Sequence, residues 1–166
     1  MTVATNGDTR THTFQCESGV LRVTDPCYSK RTWCAGTVPN CRKGEWVAQF
    51  ERKNCGAWGN RVSRLTVTHS IGGVGADEPA DFEVGVDSGQ AGVFDDARYP
   101  TDPDDTSFYD KCCRLTGSPL RAGVLPFGVV SSSGFGDGGY AATIRRDADG
   151  VCYRISIEFI GEEDAD

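Results

Sequence analysis

Apolar and polar positions alternate in at least six segments of this chain, whereas helical spacing appears in one. Alternation with period two puts one face of a segment in a core and the other in water, so the expected fold is mainly β. Thr11–Cys16 and Val20–Thr24 alternate on either side of Glu17-Ser18-Gly19, which predicts an opening hairpin. Asp25-Pro26 ends the second strand, because proline biases its predecessor to an extended conformation and cannot donate to a ladder. Glu45–Lys53 aligns Trp46, Ala48 and Phe50, and Arg61–Ile71 aligns Leu65, Val67, His69 and Ile71; the two runs predict an antiparallel pair. His69 then points to the apolar side, where a hydrogen-bonded core histidine is expected rather than a catalytic base. Phe82, Val84 and Val86 mark a further strand. Tyr140, Ala142 and Ile144, then Val151, Tyr153, Ile155, Ile157 and Phe159, predict a closing hairpin about Asp147–Gly150.

The single helical signal is Phe108, Cys112 and Leu115 at i, i+4, i+7, preceded by the acids of Asp102-Pro-Asp-Asp, where the helix dipole favours negative charge. It predicts a short helix over Thr106–Thr116, with Gly117 as its stop. Ser29–Gly44 has no periodicity and reads as a long basic loop, either a solvated surface or a functional segment. These elements add up to an antiparallel β-sandwich or partly closed barrel with one short helix.

Two glycine-rich stretches interrupt the alternation. Leu125–Tyr140 carries an apolar run (Leu125, Phe127, Val129, Val130) into Ser131-Ser-Ser-Gly-Phe-Gly-Asp-Gly-Gly-Tyr140, and Val86–Asp95 places Asp87, Ser88 and Gln90 around two glycines at a strand end. Glycine loses the most backbone entropy on ordering, so a dense cluster marks unusual dihedral angles or close backbone approach.

Length and charge narrow the classes. A chain of 166 residues fits one β-rich domain, 1–166, ending in the acidic stretch 161–166. The net charge of -7, with no Lys/Arg-rich run, sets general repulsion against a nucleic-acid duplex. The first 14 residues contain no apolar stretch of signal-peptide length, and no run approaches the roughly 20 residues that span a bilayer. A cytoplasmic protein is therefore expected, and its eight cysteines are expected as free thiols. Cys27, Cys34 and Cys41 are spaced too widely for a zinc knuckle, and with only two histidines no metal is assigned. Asp147-Ala-Asp-Gly150 lacks the remaining ligands of a calcium loop. No helix follows the glycine turn, so no cofactor motif is present.

Val86–Asp95, Ser132–Tyr140 and Gly19–Tyr28 (Gly-Val-Leu-Arg-Val-Thr-Asp-Pro-Cys-Tyr) together resemble the signature stretches of the domain of unknown function 4241 family of bacteria and phages. The chain departs from that pattern in the Cys-rich 29–55 region and at Ala141. The resemblance implies the β fold and these stretches as the site, and it implies no reaction.

Three functions compete. The first is a binding module for a small anionic metabolite or nucleotide, with a phage-borne capture of a signalling nucleotide as one use. Successive N–H groups of a glycine turn form an anion nest, with the nearby serines, Arg145 and Arg146 adding donors and charge. Its site would comprise Asp25, Asp87, Ser88 and Gln90 from the first half of the chain. From the second half it would take Ser132, Ser133, Gly134, Gly136, Asp137, Gly138, Tyr140 and Arg145. If the two glycine turns emerge at one end of the fold, Asp87 and Asp137 share a cleft. The second function is a metal-assisted hydrolase using Asp87, Asp95 or Asp137. The third is a structural or protein-interaction domain whose glycines only shape turns. Asp25 has an ordinary role available as well, hydrogen-bonding the turn that follows it.

Overall fold

The computed structural model describes residues 12–101 and 106–161. In chain order its strands are β1 (His12–Cys16), β2 (Leu21–Thr24), β3 (Gly36–Val38), β4 (Gly44–Asn54), β5 (Asn60–His69), β6 (Glu78–Val86) and β7 (Gln90–Asp95). Helix α1 (Thr106–Thr116) follows, then β8 (Ala122–Leu125), β9 (Gly128–Ser132), β10 (Gly138–Arg146) and β11 (Cys152–Glu158). They form two antiparallel sheets without barrel closure, ordered β1-β4-β5-β11-β10-β6 and β3-β2-β7-β9-β8. The fold is thus the expected mainly β, antiparallel sandwich with a short helix.

The core lies between the sheets, where Trp46, Leu65, Val67 and Ile155 of the first meet Leu21, Val23, Val93 and Val129 of the second. Trp46 is fully buried, and its indole N–H donates to the Arg42 carbonyl at 2.8 Å. Removing such a side chain from water contributes about 4–6 kcal/mol. On the outer face of the second sheet, α1 adds another layer, packing Phe108 and Cys112 on Phe94, Tyr99 and Val130. Phe94 meets Phe108 edge-on at 5.3 Å and Tyr99 at 5.5 Å. With both faces covered, β2 and β7 are buried at every residue and β9 at all but its last, which explains the non-alternating Val93-Phe94 and Val129-Val130 pairs. Cys112 faces this layer, its neighbour Cys113 is half-buried, and the Gly117 N–H bonds the Cys113 carbonyl to end the helix. The acids expected to start that helix lie outside the described residues, as does most of the acidic 161–166 stretch.

The β4–β5 and β10–β11 pairs form as expected. Gly150 at φ +80° closes the second hairpin, and Asp147 accepts from the Asp149 and Val151 N–H groups at 2.9 and 3.0 Å. The expected opening hairpin does not form. β1 pairs with β4 and β2 with β3 and β7, so the Glu17–Gly19 turn carries the chain from one sheet to the other. Its anchor is distant in sequence: buried Asp95 accepts from the Glu17 N–H at 2.8 Å and the Ser18 hydroxyl at 2.5 Å. Likewise the Leu125–Val130 run is two strands, β8 and β9, paired as Leu125↔Gly128 and Val124↔Val129. Pro126 sits in the turn between them, because it lacks the N–H a continuing ladder needs. The long loop is not wholly irregular, since it contributes β3 to the edge of the second sheet.

Strand β5 stops at His69, leaving Ile71 81% exposed. His69 is buried edge-on against Trp46, and its Nδ1 accepts from the Ile71 N–H at 3.2 Å. Nε2 must then carry the proton, which it donates to the Lys43 carbonyl at 2.8 Å. All eight cysteines are free thiols. Among the described residues, no helix is long and apolar enough to cross a membrane.

Candidate functional site

Both glycine-rich stretches are crossings between sheets, and they run side by side. The chain leaves the first sheet at Val86 and enters the second at Gln90; it leaves the second at Ser132 and re-enters the first at Gly138. The strands on either side are paired, Val86↔Gly138 in one sheet and Gln90↔Ser132 in the other. Between them, the Ser133 N–H donates to the Gly89 carbonyl at 3.1 Å. Tight crossings need backbone angles that side chains resist: Gly89 and Gly134 lie at φ +72° and +59°. A Cβ on Gly134 would also stand 2.9 Å from Ile160 and 3.1 Å from Phe159.

The first crossing is held by Asp25, whose side chain is fully buried at the end of β2. One carboxylate oxygen accepts from the Asp87 and Ser88 N–H groups at 2.8 and 2.7 Å. The other accepts from the Cys27 N–H at 2.8 Å and the Ser88 hydroxyl at 2.6 Å. The second crossing is braced by Tyr140, half-buried against Phe159, whose hydroxyl lies 3.1 Å from the Ser133 carbonyl and 2.5 Å from that of Gly136. The Ser133 hydroxyl donates to the same Gly136 carbonyl, and the Gly136 N–H returns a bond to Ser133. This turn spends its polar groups on itself.

Beside the crossings opens a cleft of about 790 Å³. One wall comes from β6 and the start of β10, with Glu83, Gly85, Asp87, Asp137, Gly138 and Gly139; the other comes from the loop after β2, with Tyr28, Thr32, Trp33 and Cys34. The loop sits against the open edge of β6, where the Gly85 N–H donates to the Cys34 carbonyl at 2.7 Å. A Cβ on Gly85 would meet Cys34 at 2.8 Å, so the glycine permits that approach. Opposite it in the ladder, Gly139 leaves room for the Glu83 carboxylate to lie over the strand. Trp33 is 90% exposed, its indole free to cover a ligand. The Tyr28 hydroxyl donates to Asp87 at 2.9 Å. Desolvation, then Cys34 and Asp87 beside it, push the Tyr28 phenol well above its ordinary pKa, which keeps that proton in place.

Electrostatically the cleft is one-sided. Among the described residues, three carboxylates, Glu83, Asp87 and Asp137, belong to its lining and no Lys or Arg does. They are spread around the walls: among the described residues, no three His, Cys, Asp or Glu side chains converge on a point that could hold a metal ion.

Of the residues expected at the site, Asp87, Asp137 and Gly138 line the cleft. Asp25, Ser88, Ser133, Gly134, Gly136 and Tyr140 build the crossings behind it. Ser132 continues the ladder, its N–H donating to the Arg121 carbonyl at 2.9 Å. Gln90 is buried elsewhere, fastening α1 by accepting from the Thr116 hydroxyl at 3.1 Å and donating to Cys113 at 3.4 Å. Arg145 is not brought to the cleft. It lies seven residues from Gly138 along β10, about 23 Å at strand rise, and pairs with Asp77 at 2.6 Å. Asp95, an expected hydrolase carboxylate, is consumed by the β1–β2 crossing. The reading from sequence missed Tyr28, Thr32, Trp33, Cys34 and Glu83. The available signal for the loop was a tryptophan in a stretch with no periodic apolar partner to pack on.

Comparison with protein-family models, with curated proteins and with solved structures found no match.

Proposed function

We propose that this protein is a small-ligand-binding module whose cleft takes an organic cation, an ammonium or guanidinium group, between Trp33 and the carboxylates of Glu83, Asp87 and Asp137. The observation that carries this reading is the lining of the cleft: among the described residues, three acids and two aromatics, with no basic side chain. The expected ligand was anionic, but three carboxylates repel an anion, the expected cations Arg145 and Arg146 pair with Asp77 and Glu78, and Arg61 beside Gly134 donates to that glycine's carbonyl. The glycine turn offers little as an anion nest, because the N–H groups of Ser133 and Gly136 are already bonded within the fold. A cation over an indole face gains roughly 0.5–2 kcal/mol, and nearby carboxylates add a salt-sensitive attraction.

The organisation favours binding over catalysis. Asp25 and Asp95 are saturated with hydrogen bonds, His69 is locked in the core, and the Tyr28 phenol keeps its proton. The resemblance to the domain of unknown function 4241 family names no activity and leaves this reading unchanged.

The test is calorimetric titration with choline, agmatine and spermidine, and with ATP and inorganic phosphate as anionic probes, while tryptophan fluorescence is compared between wild type and Trp33→Ala. Binding of at least one cation, weakened about tenfold by Trp33→Ala or Glu83→Gln and weakened by salt, is expected. Binding of the anions but not the cations, or cation binding indifferent to both substitutions, would overturn the proposal.

A further inference from the structure

Beyond the cleft-wall loop, the segment between β3 and β4 makes an isolated bridge to β11. After β3 the chain passes Pro39 and Asn40, the latter at φ +55°, and Cys41 then lies directly across from Cys152, the first residue of β11. The pairing is parallel and isolated. The Cys152 N–H donates to the Asn40 carbonyl at 2.8 Å, and the Arg42 N–H donates to the Cys152 carbonyl at 2.9 Å. These two bonds bracket Cys41, so the two cysteines are direct cross-strand neighbours. Cα atoms of adjacent strands are about 4.8 Å apart, inside the range of about 4.4–6.8 Å that a disulfide spans. Both side chains enter the same apolar core, at 5% and 0% exposure, where the Cys41 thiol donates to the Val38 carbonyl at 3.1 Å and the Cys152 thiol to the Arg154 carbonyl at 3.5 Å.

We propose that Cys41 and Cys152 form an oxidation site, a thiol pair that a hydroperoxide converts to a single disulfide, clipping the segment between β3 and β4 to the central strand β11. The two thiols are not equivalent. The neighbouring Cys41 thiol lowers the pKa of Cys152, whereas Cys41 itself is raised, first by Cys152 beside it and then by burial. Cys152 is therefore the nucleophile, since the thiolate is the reactive form. Its sulfur attacks one peroxide oxygen and the O–O bond breaks, leaving a sulfenic acid on Cys152. The departing hydroxide takes a proton and leaves as water. The Cys41 sulfur then attacks the Cys152 sulfur, the S–O bond breaks, and the hydroxide leaves as a second water with the Cys41 proton. Two thiols lose two electrons and one hydrogen peroxide gains them.

Cys16 is also buried in this core, and burial pushes its thiol up to about 11. That protonated state makes it a poor competitor. Cys27, Cys34, Cys55 and Cys113 are more exposed and act as internal controls for simple accessibility.

The experiment treats the folded full chain with hydrogen peroxide, blocks remaining thiols, and maps peptides without reduction. The expected result is a mass loss of about 2 Da carried by a Cys41–Cys152 cross-linked peptide. Because the bond closes a ring of roughly 110 residues, the melting temperature should rise by about 10 °C and fall back on adding dithiothreitol. Cys41→Ser should abolish both the cross-link and the shift. Oxidation confined to the four more exposed cysteines, a Cys16–Cys152 cross-link, or sulfinic acid at Cys152 with no cross-link would each overturn the proposal. The wild-type map decides the matter even if Cys41→Ser fails to fold.

Discussion

Replacing Asp25 separates the framework of the cleft from its lining. Its carboxylate is fully buried and accepts four hydrogen bonds, three from backbone N–H groups and one from Ser88. Hydrogen bonds to a charged group contribute about 1.5–3 kcal/mol each, and a buried donor left without a partner costs about 1–3 kcal/mol. The losses do not add fully, because Asp87 is exposed and its N–H can turn to water once released. Asp25→Ala should therefore destabilise the fold by roughly 3–5 kcal/mol, or a fall of roughly 10 °C in melting temperature for a chain of this size. Asp25→Asn keeps the shape but turns one acceptor into a donor facing N–H and O–H groups, and should lose about half as much. Ser88→Ala removes one partner and should cost about 1 kcal/mol.

Asp87→Asn is the contrast. Asp87 is exposed and, among the described residues, accepts only from Tyr28, so the change should cost less than about 1 kcal/mol while weakening cation binding. Urea denaturation followed by tryptophan fluorescence gives the midpoints, and the Asp25/Ser88 double-mutant cycle should return a coupling of about 1–2 kcal/mol. Asp25→Ala within 1 kcal/mol of wild type, or Asp87→Asn as costly as Asp25→Ala, would refute the assignment of Asp25 to the framework.

Two further outcomes are expected. Asp147 is held below the ordinary carboxylate range by the Val151 and Asp149 N–H groups and by Arg42, so its contribution is complete above the unfolded value of about pH 3.9 and disappears as pH falls through the lowered one. The gap in urea midpoint between wild type and Asp147→Asn should be widest near pH 6 and vanish in acid; a gap constant with pH would contradict this. Gly85→Ala should push the Cys34 segment off β6, lowering cation affinity more than stability, and titration beside thermal melts would expose the opposite order.

Pairs whose strands adjoin in sequence were legible. Trp46, Ala48 and Phe50 against Leu65 and Val67, and Ile144 against Ile155, declare a shared face and a short connection. What alternation cannot report is which sheet a buried face belongs to. Phe14 and Leu21 both face the core, yet they sit in opposite sheets, because Asp95, nearly eighty residues on, captures the turn between them. The glycine stretches pointed to the end of the fold where the cleft opens for the same reason they disrupt periodicity: each is a change of sheet. Asp87 and Asp137 therefore both reach the lining of the cleft, while Arg145, close in sequence, was carried away at strand rise. Trp33 and Tyr28 stayed hidden because a loop seated on a strand edge has no period of its own.

The placement of carboxylates explains why the cleft can be acidic without unravelling. Asp25 and Asp95 sit at opposite ends of the paired strands β2 and β7, each fully buried and each fixing a crossing between sheets through backbone N–H donors. Their charge is spread over short hydrogen bonds and needs no cation. Glu83, Asp87 and Asp137 stand on the exposed side of those crossings, where mutual repulsion is relieved by water. A cation entering between them replaces that water and relieves the same repulsion, so the attraction for ligand should grow as salt falls. A rigid framework is what keeps that repulsion available: with Asp25 in place, the Asp87 turn cannot swing away from Asp137. Removing Asp25 should therefore weaken cation binding even at temperatures where the variant remains folded.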